Sequence, residues 1–186
     1  MLELPKEVEA RVDGSKVFIK GLRGEIRKEF KSYRIKVLVE GNIITIKGEP
    51  NNKQTLVLVE TIASHIANMV EGVVLGYRYR MKVIYSHFPM SISVDKQIVS
   101  VKNFLGEKFP RKVRIIGDTK VEVNGQEVIV SGIDKEAVGQ TASNLELKTK
   151  VKGKDMRRFQ DGLFIVDKGN ISESKERESL VKELKG

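Results

Sequence analysis

The sequence predicts an α+β protein made of two tandem, internally duplicated small domains, each an antiparallel-rich sheet packed on one helix. Three observations carry that prediction. Short alternating runs recur in pairs around Asp-Gly, Gly-Asn and Asn-Gly links, one apolar helical stripe stands in each half, and residues of the first half reappear in order in the second. The chain has 186 residues, of which 40% are hydrophobic, enough for two small cores. Tryptophan is absent and aromatic residues amount to 6%, so those cores must rest on Val, Ile and Leu.

In the first half, Val8-Glu9-Ala10-Arg11-Val12 and Lys16-Val17-Phe18-Ile19-Lys20 alternate on either side of Asp13-Gly14. Gly and Asp tolerate the positive φ of a tight turn, so this is a hairpin. A second hairpin joins 35–39 to 43–46 across Gly41-Asn42. After the breaker at 48–52, Leu58, Ile62, Ile66, Met69 and Val73 share one helical face. Asn51 is placed as the N-cap of that helix, with Gln54 three residues on as a capping-box partner. The alternating segment 76–83 then closes the half as its final strand.

The second half repeats the order. Runs 91–94 and 98–101 flank Asp95-Lys96; 113–116 follows; 120–123 pairs with 128–130 across Asn124-Gly125. Asp134 has the position of an N-cap, with Ile133 and Val138 as a hydrophobic staple, and Val138, Thr141, Ala142 and Leu145 form the helical stripe. Individual residues match too. Val17-Phe18-Ile19-Lys20-Gly21-Leu22-Arg23-Gly24-Glu25 aligns with Val99-Ser100-Val101-Lys102-Asn103-Phe104-Leu105-Gly106-Glu107, and Val39-Glu40-Gly41 with Val123-Asn124-Gly125. Two copies are too few for a solenoid, so the duplication gives two domains. The boundaries read as 1–84 and 85–168, joined near 85–90, with a polar Ser/Glu/Lys-rich extension over 169–186. That extension is either a frayed tail or carries a short helix around Leu180, Val181 and Leu184.

Lys and Arg number 34 against 25 Asp and Glu, a net charge of +9. Such a balance favours a polyanionic partner, either nucleic acid or an anionic membrane surface. No apolar run in the sequence approaches a bilayer-crossing length and Met1-Leu2-Glu3-Leu4-Pro5 lacks signal-peptide character, so a cytoplasmic nucleic acid is expected and a membrane is not. The absence of Cys excludes disulfides and thiolate metal sites.

Chemistry needs converging groups, and few are available. His65 falls between Ile62 and Ile66, where a packed or surface histidine is expected. His87 lies in Ser86-His87-Phe88-Pro89, and Ser86 beside it is no nucleophile–base pair, because sequence neighbours on extended chain point apart. There is no phosphate loop, no nucleophile elbow and no carboxylate cluster for Mg²⁺. No catalytic residue, cofactor, metal site or small-molecule substrate is assigned.

The densest positive charge runs from Lys148 through Lys150, Lys152, Gly153 and Lys154 to Arg157 and Arg158. As an extended strand this run would set Lys148, Lys150 and Lys152 on one side, able to follow a phosphate backbone. Arg157 and Arg158 could grip phosphates bidentately. An edge strand guarded by Lys would look similar. Further basic sets are Arg23, Arg27, Lys28, Lys31 and Arg34; Arg78, Arg80 and Lys82; and Lys108, Arg111, Lys112 and Arg114. Phe104, Phe109 and Phe159 stand apart in sequence, so phosphate and shape recognition with little base readout is expected.

The stretch Met156-Arg157-Arg158-Phe159-Gln160-Asp161-Gly162-Leu163-Phe164-Ile165-Val166-Asp167-Lys168 resembles the C-terminal motif of the archaeal and eukaryotic ribosomal large-subunit protein six family. Its pattern is Arg-x-Phe-x-Asp-Gly followed by two apolar residues, a β-branched residue and a base. The segments 76–81 and 85–89 are similar to the family's domain junction, and 103–108 and 138–144 also match, with Ser143 where Ala is common. The resemblance spans nearly the whole chain. It implies two similar α+β domains, a structural and non-enzymatic role in the large ribosomal subunit, binding to large-subunit (23S-type) rRNA, and neighbouring ribosomal proteins as partners. It further implies a place near the sarcin–ricin loop and stalk base, where translation factors dock. Within the matching motif and the run before it, Lys150, Lys152, Lys154, Arg157, Arg158 and Lys168 are the implied RNA contacts. Two rival classes remain: a basic nucleic-acid-binding module outside the ribosome, and an enzyme acting on RNA, which would need an acid–base or metal constellation that the sequence does not show.

Overall fold

The computed structural model describes residues 2–171 except 6, 33 and 156. The chain divides into two compact units, Met1–Gly76 and Tyr77–Gly186. The first contains β1 (Leu2–Glu3), β2 (Glu9–Asp13), β3 (Lys16–Gly21), β4 (Gly24–Glu29), β5 (Ile35–Glu40), β6 (Ile43–Gly48) and helix α1 (Lys53–Val74). The antiparallel sheets β2-β3-β4 and β1-β6-β5 pack on the helix through Val17, Ile19, Ile44, Ile62, Ile66, Met69 and Val73, all buried. The stripe read from the sequence forms that face, except that Leu58 is exposed.

The helix is capped one residue later than its sequence suggests. Asn52, not Asn51, sits in extended backbone, and its side chain accepts from the Thr55 amide at 2.8 Å. Strand β4 went unread in the sequence, because only Ile26 on it is buried and a single apolar position makes no alternation. Helix α1 is also long and apolar enough to cross a bilayer by length and composition, which a scan for uninterrupted apolar runs misses; here its Ile62–Val73 face packs on the sheets of its own unit.

The second unit contains β7 (Tyr77–Ile84), β8 (Ser91–Asp95), β9 (Ile98–Lys102), a 3-10 turn (Phe104–Gly106), β10 (Arg111–Arg114), β11 (Lys120–Asn124), β12 (Glu127–Gly132), α2 (Lys135–Lys148) and β13 (Gly162–Asn170). Its sheets are β10-β9-β8 and β11-β12-β7-β13. The core joins Met81, Val83, Val99, Val101, Val128 and Val130 from the strands to Val138, Ala142 and Leu145 of α2 and Leu163 of β13. Asp134 caps α2 as expected, accepting from the Glu136 amide at 2.9 Å. All four residues of the second stripe are buried.

The duplication is present, but its phase differs from the sequence expectation. Strand β7 does not close the first half. It is an interior strand of the second unit, between β12 and β13, so the boundary at 84 moves to Gly76 and the 85–90 segment links β7 to β8 inside one unit. Strand β1 pairs with β6 as β7 pairs with β12, so each repeat begins with the strand and ends with the helix. A further pair of positions marks the repeat. At Gly48 a Cβ would run into the Thr55 and Val59 side chains, and at Gly132 it would meet Val138 Cγ2 at 2.9 Å. In both units the strand entering the helix passes too close beneath its first turn for any side chain.

Candidate nucleic-acid interface

The segment between α2 and β13 carries five of the implied RNA-contact cations, Lys150, Lys152, Lys154, Arg157 and Arg158. It is not a strand over 148–152. Leu145 and Thr149 are buried four residues apart, a helical spacing, and Lys148 is the last residue of α2. The helix end is closed by side chains: the Thr149 hydroxyl donates to Leu145 O at 2.9 Å, and Arg111 Nη1 donates to Lys148 O at 2.6 Å. Lys150 and Lys152 then lie in irregular chain on either side of buried Val151, so no one-sided lysine row forms.

The loop is fixed at its ends. The Leu163 amide donates to Thr149 Oγ1 at 3.0 Å, both residues being buried. A Cβ on Gly162 would lie 2.9 Å from Thr149 O, so glycine lets the returning strand approach the helix end this closely. Asp155 shapes the outer turn, with Oδ1 accepting from the Arg157 amide at 2.9 Å and its carbonyl from the amides of Arg158 and Phe159. Lys148, Lys150, Lys152, Lys154, Arg157 and Arg158 are all exposed, and among the described residues no carboxylate is salt-bridged to any of them. Lys168 is exposed too but stands apart, opposite Tyr79 at the far end of β13, roughly 20 Å along the strand from Gly162.

A motif residue to which the sequence assigned no role anchors this loop to the 85–90 link. Asp161, 1% exposed, accepts from the Ser86 amide at 2.9 Å, the His87 amide at 3.3 Å and His87 Nδ1 at 3.1 Å. Burial pushes the Asp161 carboxyl up, but the Ser86 and His87 donors outweigh it and hold the group below its ordinary range. An ionised carboxylate only accepts, so His87 carries its proton on Nδ1. The His87 ring stacks on Phe159, with centroids 4.4 Å apart and planes 17° from parallel, and Lys154 Nζ lies 4.6 Å from the Phe159 centroid. The sequence signal was the Phe-x-Asp within the motif; its partner His87 could not be found without the fold. A His–Asp pair suggests part of a hydrolytic triad, but among the described residues no serine hydroxyl is bonded to His87, and Ser86 meets Asp161 through its backbone.

The other basic sets divide. Arg111 is structural: besides capping α2 it pairs with Glu107 through Nε at 2.8 Å and Nη2 at 2.5 Å, and lies over buried Phe104 with its Cζ 4.0 Å from the ring centroid. The Arg111 hydrogen bonds hold Glu107 below its ordinary range, against a smaller upward push from burial. Arg23 does similar work in the first unit, donating from Nε to Val74 O at 3.1 Å. Lys28 donates to His65 Nδ1 at 3.2 Å, which gives that histidine a local partner. On β7, Arg80 lies opposite Asp167 and Lys82 opposite Glu127, so that face carries both signs.

The protein is thus built of two repeated α+β units, the second carrying exposed cations on a pinned loop. The chain belongs to the ribosomal protein L6 family, whose model matches residues 4–76 and 88–162, one match in each unit. It is 45% identical to the large ribosomal subunit protein uL6 of Methanothrix thermoacetophila, covering 90% of this chain and 95% of that protein. It is 48% identical to the uL6 of Staphylothermus marinus, covering 90% and 93%, and 44% identical to that of Haloarcula marismortui, covering 91% and 95%.

Proposed function

We propose that this chain is a structural constituent of the large ribosomal subunit that holds rRNA phosphates with the 148–158 loop. The observation that carries the reading is the loop itself: five exposed cations on a segment fixed by Thr149, Gly162 and Asp161, with exposed Lys148 at the helix end beside it. Guanidinium forks at Arg157 and Arg158 suit bidentate phosphate contact, and Lys148, Lys150, Lys152 and Lys154 supply point charges around them. Lys168 sits on a separate strand, so its contact would be to a different part of the RNA. Membership of the L6 family supports assembly with neighbouring large-subunit proteins. By the same family likeness we place the second unit near the sarcin–ricin loop and stalk base, within reach of translation factors.

The test is incorporation in competition with wild type, followed by a high-salt sucrose gradient. Replacing Arg157 and Arg158 with Gln should reduce occupancy of large subunits while circular dichroism shows an unchanged fold. Replacing Lys175 and Arg177, from the charge-balanced tail outside the described residues, should do much less. A wild-type chain that leaves large subunits and binds isolated duplexes equally well would instead be a nucleic-acid module outside the ribosome.

A further inference from the structure

We infer that the outer face of His87 is a stacking platform for an unpaired rRNA base beside the phosphates gripped by the loop. This rests on the proposed rRNA binding and refines it. Phe159, isolated in sequence, is built into a stack in the fold. His87, from a distant segment, lies parallel to it at 4.4 Å, with Lys154 Nζ at 4.6 Å from the same ring. Phe104 is buried, and Phe109, though exposed, is stacked on no other ring among the described residues.

Two features make His87 the receiving surface. Its ring is held before any ligand arrives: Nδ1 donates to Asp161 Oδ2, and the Ser86 and His87 amides both donate to Asp161 Oδ1. Rotating the ring would break the bond to a buried carboxylate, so little ordering remains to be done on binding. Second, 37% of the side chain stays exposed although Phe159 stacks against it, so part of the residue remains open to a ligand.

The surroundings favour a nucleotide over an apolar protein segment. Lys154 is in direct contact with the stack, and Arg157 and Arg158 immediately precede Phe159 in the chain. Nearby carboxylates are committed, Asp161 to its buried donors and Asp155 Oδ1 to the Arg157 amide. A flat aromatic surface with a lysine against it and two arginines next in the chain suits a base whose own phosphates are held alongside, and stacking of this kind accepts any base.

The experiment uses the full chain with deproteinised large-subunit rRNA, measuring affinity at several salt concentrations and chemical reactivity of the bases. His87→Asn keeps a donor for Asp161 and removes the ring; His87→Phe keeps the ring and removes the donor. The expected result is an affinity loss of about tenfold for His87→Asn, a clearly smaller loss for His87→Phe, which keeps the ring without its anchor, and an unchanged salt dependence for both. A base protected by wild type and His87→Phe should be reactive with His87→Asn. The reverse order of the two variants would show that His87 serves only to position the loop through Asp161, and overturn the platform. Unchanged affinity in both, with wild type still binding, would also overturn it. Absence of rRNA binding by wild type would remove the functional reading itself.

Discussion

Thr149 and Leu163 close the base of the cationic loop: one buried hydroxyl accepts the Leu163 amide and donates to Leu145 O, so the end of α2 and the start of β13 share a single hinge point. The loop's five cations, Lys150, Lys152, Lys154, Arg157 and Arg158, are therefore carried on a closed frame. Thr149→Val keeps the shape and removes both bonds, leaving the Leu163 amide buried without its partner. The expected cost is about 1–3 kcal/mol of stability in the second unit. Thr149→Ser should retain most of it. Denaturant unfolding of the two variants, with hydrogen exchange at the Leu163 amide, checks this; equal stabilities would remove the hydroxyl from the account.

The position of β7 changes what counts as an independent piece. A fragment cut at the sequence-read junction, 90–168, lacks an interior strand of the four-stranded sheet, and with it Met81 and Val83 of the core. A fragment spanning 77–171 retains them. The longer piece should melt cooperatively and the shorter should not, as read by calorimetry or circular dichroism. A cooperative melt for 90–168 would mean that β7 is dispensable.

That difference shows what the sequence could and could not disclose. Hairpins, the two helical stripes and the Asp134 cap depend on neighbours in the chain, so periodicity and turn chemistry reveal them. Which strand β7 joins is a choice between two sheets, and its alternation of Tyr77, Tyr79, Met81 and Val83 suits either. The lysines at 148, 150 and 152 mimic a strand only because buried Thr149 and Val151 fall between them, whereas the helix continues to Lys148 on the strength of Leu145, Thr149 and the Arg111 cap. Arg157, Arg158 and Asp161 were legible as a motif. The Asp161–His87–Phe159 assembly was not, since its parts meet only after the sheet forms.

Asp161 should make the second unit acid-sensitive. Its folded pKa is depressed, so its contribution to stability is complete above its unfolded value, ordinarily near 3.8, and is lost as pH falls through the lower folded value. Stability should therefore decline as pH drops below about 4, and Asp161→Asn should flatten that decline while costing stability near neutrality. Denaturant melts from pH 7 down into the acid range measure both. An Asp161→Asn variant with the same pH profile as wild type would show that the carboxylate's charge plays no part in pinning the loop.

Arg111 and the Arg157–Arg158 pair separate structural from ligand-binding charge. Each phosphate neutralised by a cation releases counterions, so engagement of roughly five phosphates gives a log–log salt slope of about −3 to −5. Losing Arg157 and Arg158 should lower the magnitude of that slope by about 1–2 and weaken binding to all sequences alike, because phosphates carry no base identity. Arg111 already bonds Glu107 and Lys148 O and covers Phe104. Arg111→Gln should leave the slope unchanged and instead destabilise the second unit by about 1–3 kcal/mol, since a charge-assisted pair and a helix cap are lost together. Titrating the variants against rRNA at a series of salt concentrations, alongside their denaturant melts, separates the two effects. A slope that changes with Arg111 and not with the Arg pair would move the RNA-binding face to the β10 side of the unit.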